Sequence, residues 1–403
     1  MSSLELEQGK STIKQAMLGV ANRLAQMLPF LRRKLDASAK NYGRIARTYY
    51  EDKDYESAIA NYKTALSWSP RDTELLNELA QVYYETDSFK QAEFYFRKVL
   101  DYDYYNPRAL KGLGFTLHWS GNPDEAMYAY LRYLNVKKDD ADVLLNLGAL
   151  VYDSGQYEQA LGYFQQAVSI NHSEPLGFLN LAGALYNLGR IAEAEVAVQQ
   201  SLALEKNADA YQLLGSILEA QQKHQEALES YSAAANVDPE NGYAHRHLAR
   251  LYNRTGSQMQ YFQHAQEAVR LLSNQADPES LASAYWDLGW AYYLQGDWQK
   301  SVEASAKALE FSPDLAPPRF NVGLALLRQH KSEEARQEYL IGLEKSKPSD
   351  LRSDAIDDLE HALEVDPDMP GARDILKILN AEYEKLEQRT SASSDAGSNN
   401  ANL

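Results

Sequence analysis

The sequence predicts an all-α protein, a superhelical solenoid of antiparallel helix pairs closed by capping helices at each end. Three observations carry this. A pattern of apolar and small residues recurs every 34 positions. Within each recurrence the spacings are 3, 4 and 7, the period of a helix face, in two blocks separated by a turn. No segment alternates polar and apolar residues in the manner of a half-buried strand. A chain of 403 residues is long enough for two or three ordinary domains. A stack of repeats, each packed only on its neighbours, is another way to use that length.

The repeat is read most directly in the pairs Leu147-Gly148, Leu181-Ala182, Leu214-Gly215 and Leu288-Gly289. A large apolar residue stands three before each Leu, and another large residue three after the small one. In three of the four an alanine follows twelve positions on, in two an aromatic comes four later, and then come a further small residue and often a proline. The first unit reads Tyr42, Ile45, Ala46, Tyr49, Tyr55, Ala58, Tyr62, Ala65, Pro70; the fourth reads Leu144, Leu147, Gly148, Val151, Gly155, Tyr157, Ala160, Phe164, Ala167. Gly148 and Ala160 are expected where the two helices of a hairpin cross closely. Gly155 is expected just past the first helix in a left-handed conformation. Pro70, Pro239 and Pro313 are expected to stop the second helix.

This pattern resembles the tetratricopeptide repeat family, whose unit has the same length and the same large–Leu–Gly–Tyr…Ala…Phe…Pro order. The resemblance covers residues 39–348 and places about nine repeats, beginning at Ala39, Thr73, Pro107, Ala141, Pro175, Ala208, Gly242, Ala282 and Ala316. The fifth unit is one residue short. The seventh is six residues long, with the excess near Ser273–Pro278, where a longer connection and a joint between two sub-arrays are expected. Open helical stacks need caps. Residues 349–388 supply two C-terminal candidates: one helix from Ala355, Leu359, Ala362 and Val365, and one from Ile375, Leu376, Ile378, Leu379 and Tyr383. Residues 389–403 are rich in Ser, Asn, Ala and Gly and are expected to be a disordered tail.

Residues 1–38 are read as a basic amphipathic N-terminal helix. Ile13, Met17, Val20, Leu24, Met27 and Leu31 fall at helical spacing, and residues 10–34 hold six basic side chains and no acidic one. Such a helix can cap the first repeat, its charges meeting the acidic body, or lie on an anionic membrane surface through residues 11–34.

Composition narrows the function. A net charge of −17 argues against general nucleic-acid binding, which needs a basic surface. The absence of cysteine excludes disulfides, thiolate metal sites and cysteine nucleophiles. No apolar run reaches the length of a membrane span, and the first residues lack the pattern of a secretory leader, so a cytoplasmic location is expected. The sequons at Asn171 and Asn253 are then read as chance. There is no phosphate-binding loop ending in GK[ST], no nucleophile elbow and no H-E-x-x-H. The protein is therefore read as non-enzymatic, with no cofactor and no metal. It is expected to be a scaffold or adaptor that binds a protein or peptide. The alternatives are a membrane-associated assembly factor tethered by its N-terminal helix and an accessory subunit of a separate enzyme. Oligomeric state is not legible.

The family resemblance also implies which side chains line the binding groove, because its first helices face inward. Units three to five then offer Lys111, Phe115, His118, Trp119, Leu145, Tyr152, Leu179 and Tyr186. Asn146, Asn180 and Asn321 fall at one repeat position, similar to the asparagine ladder by which the repeats of O-GlcNAc transferase hold a peptide backbone. Arg44, Glu78, Gly112, Leu213, His247 and Asp287 depart from it, and an asparagine there can equally bond a neighbouring helix. Phe115 and Leu176 stand where the chaperone-binding members of the family need polar side chains, so binding to heat-shock protein tails is not expected. The most distinctive stretch is in units seven and eight. Arg246, Arg250 and Arg254 form one stripe at i, i+4 and i+8, beside Trp286, Trp290 and Tyr293. Arginine and tryptophan are enriched in binding hot spots, and this pairing suits an acidic, partly apolar segment. The same arginines have internal candidates in Glu219, Asp287 and the face of Trp290.

The two readings of the N-terminal helix separate experimentally. Deleting residues 1–38 should lower the melting temperature if the helix is a cap. It should abolish binding to anionic liposomes, with melting unchanged, if the helix is a membrane anchor.

Overall fold

The computed structural model describes residues 36–273 and 277–399. The proposed N-terminal helix of residues 11–34 lies outside them. Among the described residues there is no strand. The chain divides into two compact units, Met1–Leu188 and Gly189–Leu403.

In the first unit, described from residue 36, helices follow one another as α1 (36–51), α2 (Tyr55–Trp68), α3 (Thr73–Glu85), α4 (Phe89–Tyr102), α5 (Pro107–Trp119), α6 (Pro123–Val136), α7 (Ala141–Asp153), α8 (Tyr157–Ile170) and α9 (Pro175–Asn187). The second unit continues with α10 (Ile191–Leu204), α11 (Ala208–Ala220), α12 (His224–Val237), α13 (Gly242–Arg254), α14 (Gln258–Leu272), α15 (Pro278–Leu294), α16 (Trp298–Phe311), α17 (Ala316–Arg328) and α18 (Ser332–Lys345).

Local chemistry explains the boundaries. Asp72, Asn106, Asp140, Asn207 and Asn241 each accept a backbone N–H from the first turn of the helix that follows, so one polar side chain per repeat satisfies an otherwise orphan donor. Trp68, Val237 and Phe311 end their helices two residues before Pro70, Pro239 and Pro313. Gly155 sits in the turn between α7 and α8 at φ +78°, as its place in the repeat requires. Inside the hairpin, a Cβ added to Gly148 would lie 2.5 Å from the Phe164 ring, so the bare backbone of α7 is the surface on which that ring rests.

Two expectations are corrected. The joint expected at Ser273–Pro278 is not where the chain divides; the boundary falls at Leu188/Gly189, between the two helices of the fifth repeat. The extra residues of the seventh repeat mostly lengthen helices instead: α14 has 15 residues and α15 has 17, against 13 and 14 in the preceding pair. Ala282 keeps its register on α15, which begins one turn earlier, at Pro278, because Asp277 caps it there.

The C-terminal closure is a helix with an inserted wide turn. It runs as α19 (Pro348–Leu351), a π-helical segment Arg352–Asp357, and α20 (Asp358–Val365). Then comes α21 (Ala372–Asn399), whose helical bounds extend past residue 389, where composition placed the start of the tail. Leu351, Ala355, Ile356, Leu359, Ala362, Ile375 and Leu379 join Phe320, Leu324, Leu327 and Tyr339 in one core that covers the last hairpin. Val365, expected on the buried face, is exposed.

Replacing Gly148 with Leu forces a side chain into the space of the Phe164 ring. A loss of about 1–3 kcal/mol is expected, read as a lower denaturant midpoint. An unchanged unfolding curve would show that this contact does not hold the hairpin.

Candidate functional site

The second unit contains a cavity of about 260 Å³ lined by Arg250, Asn253, Arg254, Tyr261, Trp286, Asp287, Trp290, Asn321, Ser353, Asp354 and Asp358. Four of the six residues singled out in units seven and eight are among them.

The three arginines of α13 have separate fates. Arg246 is tied inward, its Nε 3.2 Å from Oδ2 of the buried Asp287. Arg254 Nη1 pairs with Glu219 Oε1 at 2.8 Å. Arg250, one turn from each, is exposed and has no hydrogen bond or ion pair among the described residues. Burial pushes the Asp287 carboxyl up, against the pull of Arg246 and Arg250. Arg246 is thus a structural counterion, whereas Arg250 has no ion pair among the described residues.

The aromatic residues divide in the same way. Trp286 and Trp290 are half-buried and line the cavity. Tyr293 does not line it. Its ring stacks on Trp290 with centroids 5.0 Å apart, and its hydroxyl accepts from Arg328 Nε at 3.1 Å. Tyr293 therefore props Trp290 from the core side. Tyr261 donates its hydroxyl to the backbone carbonyl of Asp287, fixing the floor between α14 and α15.

Asn321, on α17, occupies the repeat position 34 residues after Asp287. It is 3% exposed, and its Nδ2 has no hydrogen-bond partner. An orphan buried amide is costly, and this one lines the cavity.

The opposite wall was not foreseen. Ser353, Asp354 and Asp358 come from the π-helical segment and the first residue of α20. In a regular α-helix, Ser353 and Asp358 would diverge by about 140°; the wider turn lets both face one cavity. A sequence signal did exist, because Asp350, Asp354 and Asp358 repeat at i, i+4 and i+8, mirroring the arginine stripe. Asp354 accepts from Ser353 Oγ at 2.8 Å, and burial pushes its carboxyl up. Asp358 has no hydrogen bond or ion pair among the described residues. Burial, then the carboxylates of Asp354 and Asp357, push it up to about 7.

In the first unit, a cavity of about 560 Å³ is lined by Tyr84, Arg108, Lys111, Phe115, Lys137 and neighbours. Lys111 is largely consumed there, 2.9 Å from Asp140 and 3.2 Å from Asp142. Phe115 packs edge-on against Tyr130, and Trp119 is 67% exposed beside His118. Tyr152 accepts a hydrogen bond from Asn187 and packs on Tyr157, while Tyr186 is half-buried. Asn146 donates to the Asp142 carbonyl of its own helix at 2.8 Å. Asn180 is half-buried in the same unit, and Asn321 belongs to the other.

His245 and His264 approach each other, Nδ1 to Nδ1, at 3.0 Å, and burial holds both below the ordinary histidine range. Among the described residues no group of three or more His, Cys, Asp or Glu is arranged to hold a metal, and no helix is long and apolar enough to cross a membrane.

Comparison with known proteins places this geometry. Tetratricopeptide repeat models match residues 49–103, 120–175, 151–217, 208–241 and 283–314, together just over half of the chain. The chain is 30% identical over 119 residues to a probable UDP-N-acetylglucosamine–peptide N-acetylglucosaminyltransferase, SPINDLY, of Hordeum vulgare. That match spans 29% of this chain and only 13% of the relative. Among solved structures, the APC/C hetero-tetramer Cut9-Hcn1 is similar with a TM-score of 0.51 at 15% identity, over 85% of this chain and 76% of that one. PilF of Pseudomonas aeruginosa is similar at 22% identity and a TM-score of 0.45, over 51% and 94%.

The Asp358 carboxyl sets a pH test. An unfolded aspartate titrates near 3.9, so a folded value of about 7 means that ionisation costs the folded state. That cost is absent below about pH 4 and complete above pH 7. Asp358→Asn should therefore stabilise the protein at pH 8, on the order of 2 kcal/mol after allowing for solvent screening, and change little at pH 4. Denaturant titration at the two pH values checks this; an equal effect at both would refute it.

Proposed function

The chain belongs to the tetratricopeptide repeat family, and from that premise we propose that it is a non-catalytic scaffold or adaptor. Its cavity between α13, α15, α17 and the π-helical segment holds a segment of a partner protein. One observation carries the reading. Three polar groups without partners among the described residues, Arg250, Asn321 and Asp358, surround two half-buried tryptophans. Buried polar groups such as Asn321 are normally satisfied, and Trp290, stacked on Tyr293, is already positioned for contact. Such a site loses little conformational entropy when a ligand arrives.

The division of labour follows from the contacts. Arg250 attracts and orients an acidic group, which the rest of an acidic surface repels. Trp286 and Trp290 supply apolar area once water leaves. Asn321 donates to a backbone or side-chain carbonyl of the segment.

A second reading is an accessory subunit of a separate enzyme; its one motive is a likeness over 119 residues to 13% of a probable transferase. Stable co-purification with one enzyme would support it.

The site is tested with whatever protein co-purifies with the chain from its native source. Arg250→Ala and Trp290→Ala should each weaken that complex by about 2 kcal/mol or more. Raising salt should erode the Arg250 contribution and largely spare that of Trp290. If both variants keep full affinity but melt earlier, these residues are packing elements and the proposal fails.

A further inference from the structure

The cavity is walled by opposite charges, and this says more about its occupant than the arginine stripe alone. Its lining cations are Arg250, exposed and without an ion pair among the described residues, and Arg254, already paired with Glu219. Its lining carboxyls are Asp287, taken up by Arg246, and Asp354 and Asp358 of the cap, of which Asp358 has no hydrogen bond or ion pair among the described residues. Trp286 and Trp290 lie between Arg250 and the cap in chain order and line the same space. Asn321, 3% exposed, offers its unpartnered Nδ2 to the cavity.

We infer that the occupant is a dipolar segment, bringing a lysine or arginine side chain to Asp354 and Asp358 and an acidic side chain to Arg250. The inference rests on the reading of this cavity as a partner site and adds the chemistry of what enters it. A purely acidic segment would place like charge against two carboxylates. A purely basic one would leave Arg250 opposed. Either mismatch is penalised more in a half-enclosed site than in open water. The tryptophan faces suit the aliphatic stem and the charged head of a basic side chain, through apolar contact and cation–π attraction. Asn321 suits a carbonyl of the segment between the two charged side chains. About 260 Å³ accommodates one or two side chains, not a long stretch of peptide, so the pair of opposite charges is the anchor.

The probes are capped, fluorescein-labelled leucine–glycine peptides carrying one Glu and one Lys at separations of one to four residues. Matched all-Glu and all-Lys peptides are the controls. Fluorescence anisotropy with the full chain should show at least one dipolar peptide binding about tenfold or more tightly than both controls. Asp354→Asn with Asp358→Asn should abolish its lead over the all-Glu peptide. Arg250→Ala should abolish its lead over the all-Lys peptide. The Asn substitutions preserve shape, and an unchanged or raised melting temperature would show that the fold is intact.

Three results would overturn the inference. The all-Glu peptide could bind as well as the best dipolar one, which leaves the partner site standing and removes only the dipolar requirement. No dipolar peptide could bind at millimolar concentration. Free lysine or glutamate could displace the probe at millimolar concentration, which would assign the cavity to a small molecule. Loss of native-partner binding in Arg250→Ala tests the partner site separately.

Discussion

The structure depends on one contact that recurs in several of its hairpins: the small residue on the first helix, pressed against an aromatic ring from the second, with Ser305 in the ring's place against Gly289. Phe164 lies so close to Gly148 that no Cβ could stand between them, and Tyr339 meets Gly323 in the same way. The ring is fully buried in each case. This contact fixes the separation of the two helices, and with it the side chains that remain on the outward face of the first helix. Gly323 is two residues after Asn321, so the contact that closes the last hairpin also sets where the unpartnered amide stands. Fold and candidate site are therefore one piece of geometry.

Repetition alone would give a uniform surface, and the candidate site arises where repetition is broken. A carboxylate, Asp287, takes the position that holds an asparagine one repeat later, and it draws Arg246 out of the stripe. Glu219 does the same to Arg254 from the other side. What remains is one guanidinium without an ion pair between two paired ones. Among the charged residues that line the cavity, Arg254 and Asp287 are already taken up by Glu219 and Arg246, which leaves Arg250, Asp354 and Asp358.

The repeat was legible because it is dictated by packing, and packing leaves a period. Thr73, Pro107, Ala141, Pro175, Ala208 and Gly242 are both the register positions read from the sequence and the first residues of observed helices. The break between the units was not legible at its place. The long seventh repeat looked like the joint, but its additional residues could be taken up as helix, since Asp277 and Pro278 form a good helix start. The boundary falls instead within the fifth repeat, between α9 and α10. At the site, identity and spacing announced the arginines and tryptophans, whereas the difference between Arg246 and Arg250 depends on which carboxylate each reaches. The aspartate wall escaped notice because a helical cap is expected to be apolar inside and polar outside, so its charges were assigned to solvent. Only the widened turn at Arg352–Asp357 shows that two of them look inward.

That wall runs against stability. A cap has only to cover the core of the last hairpin, and Leu351, Ile356 and Leu359 do so. Nothing in that task calls for a half-buried carboxyl beside two others, and a leucine or asparagine at position 358 would avoid the desolvation that pushes Asp358 up to about 7. The π turn adds a second departure from the most stable helix geometry in the six residues just before Asp358. On the outer side, Arg352 pairs with Asp357 at 2.7 Å and with Glu360 at 3.4 Å, which ties the wide turn to the helix that follows. The exposed part of the cap is thus electrostatically compensated, while the part that faces the tryptophans is not. Local rules broken together at one cavity are what the proposed partner site would require.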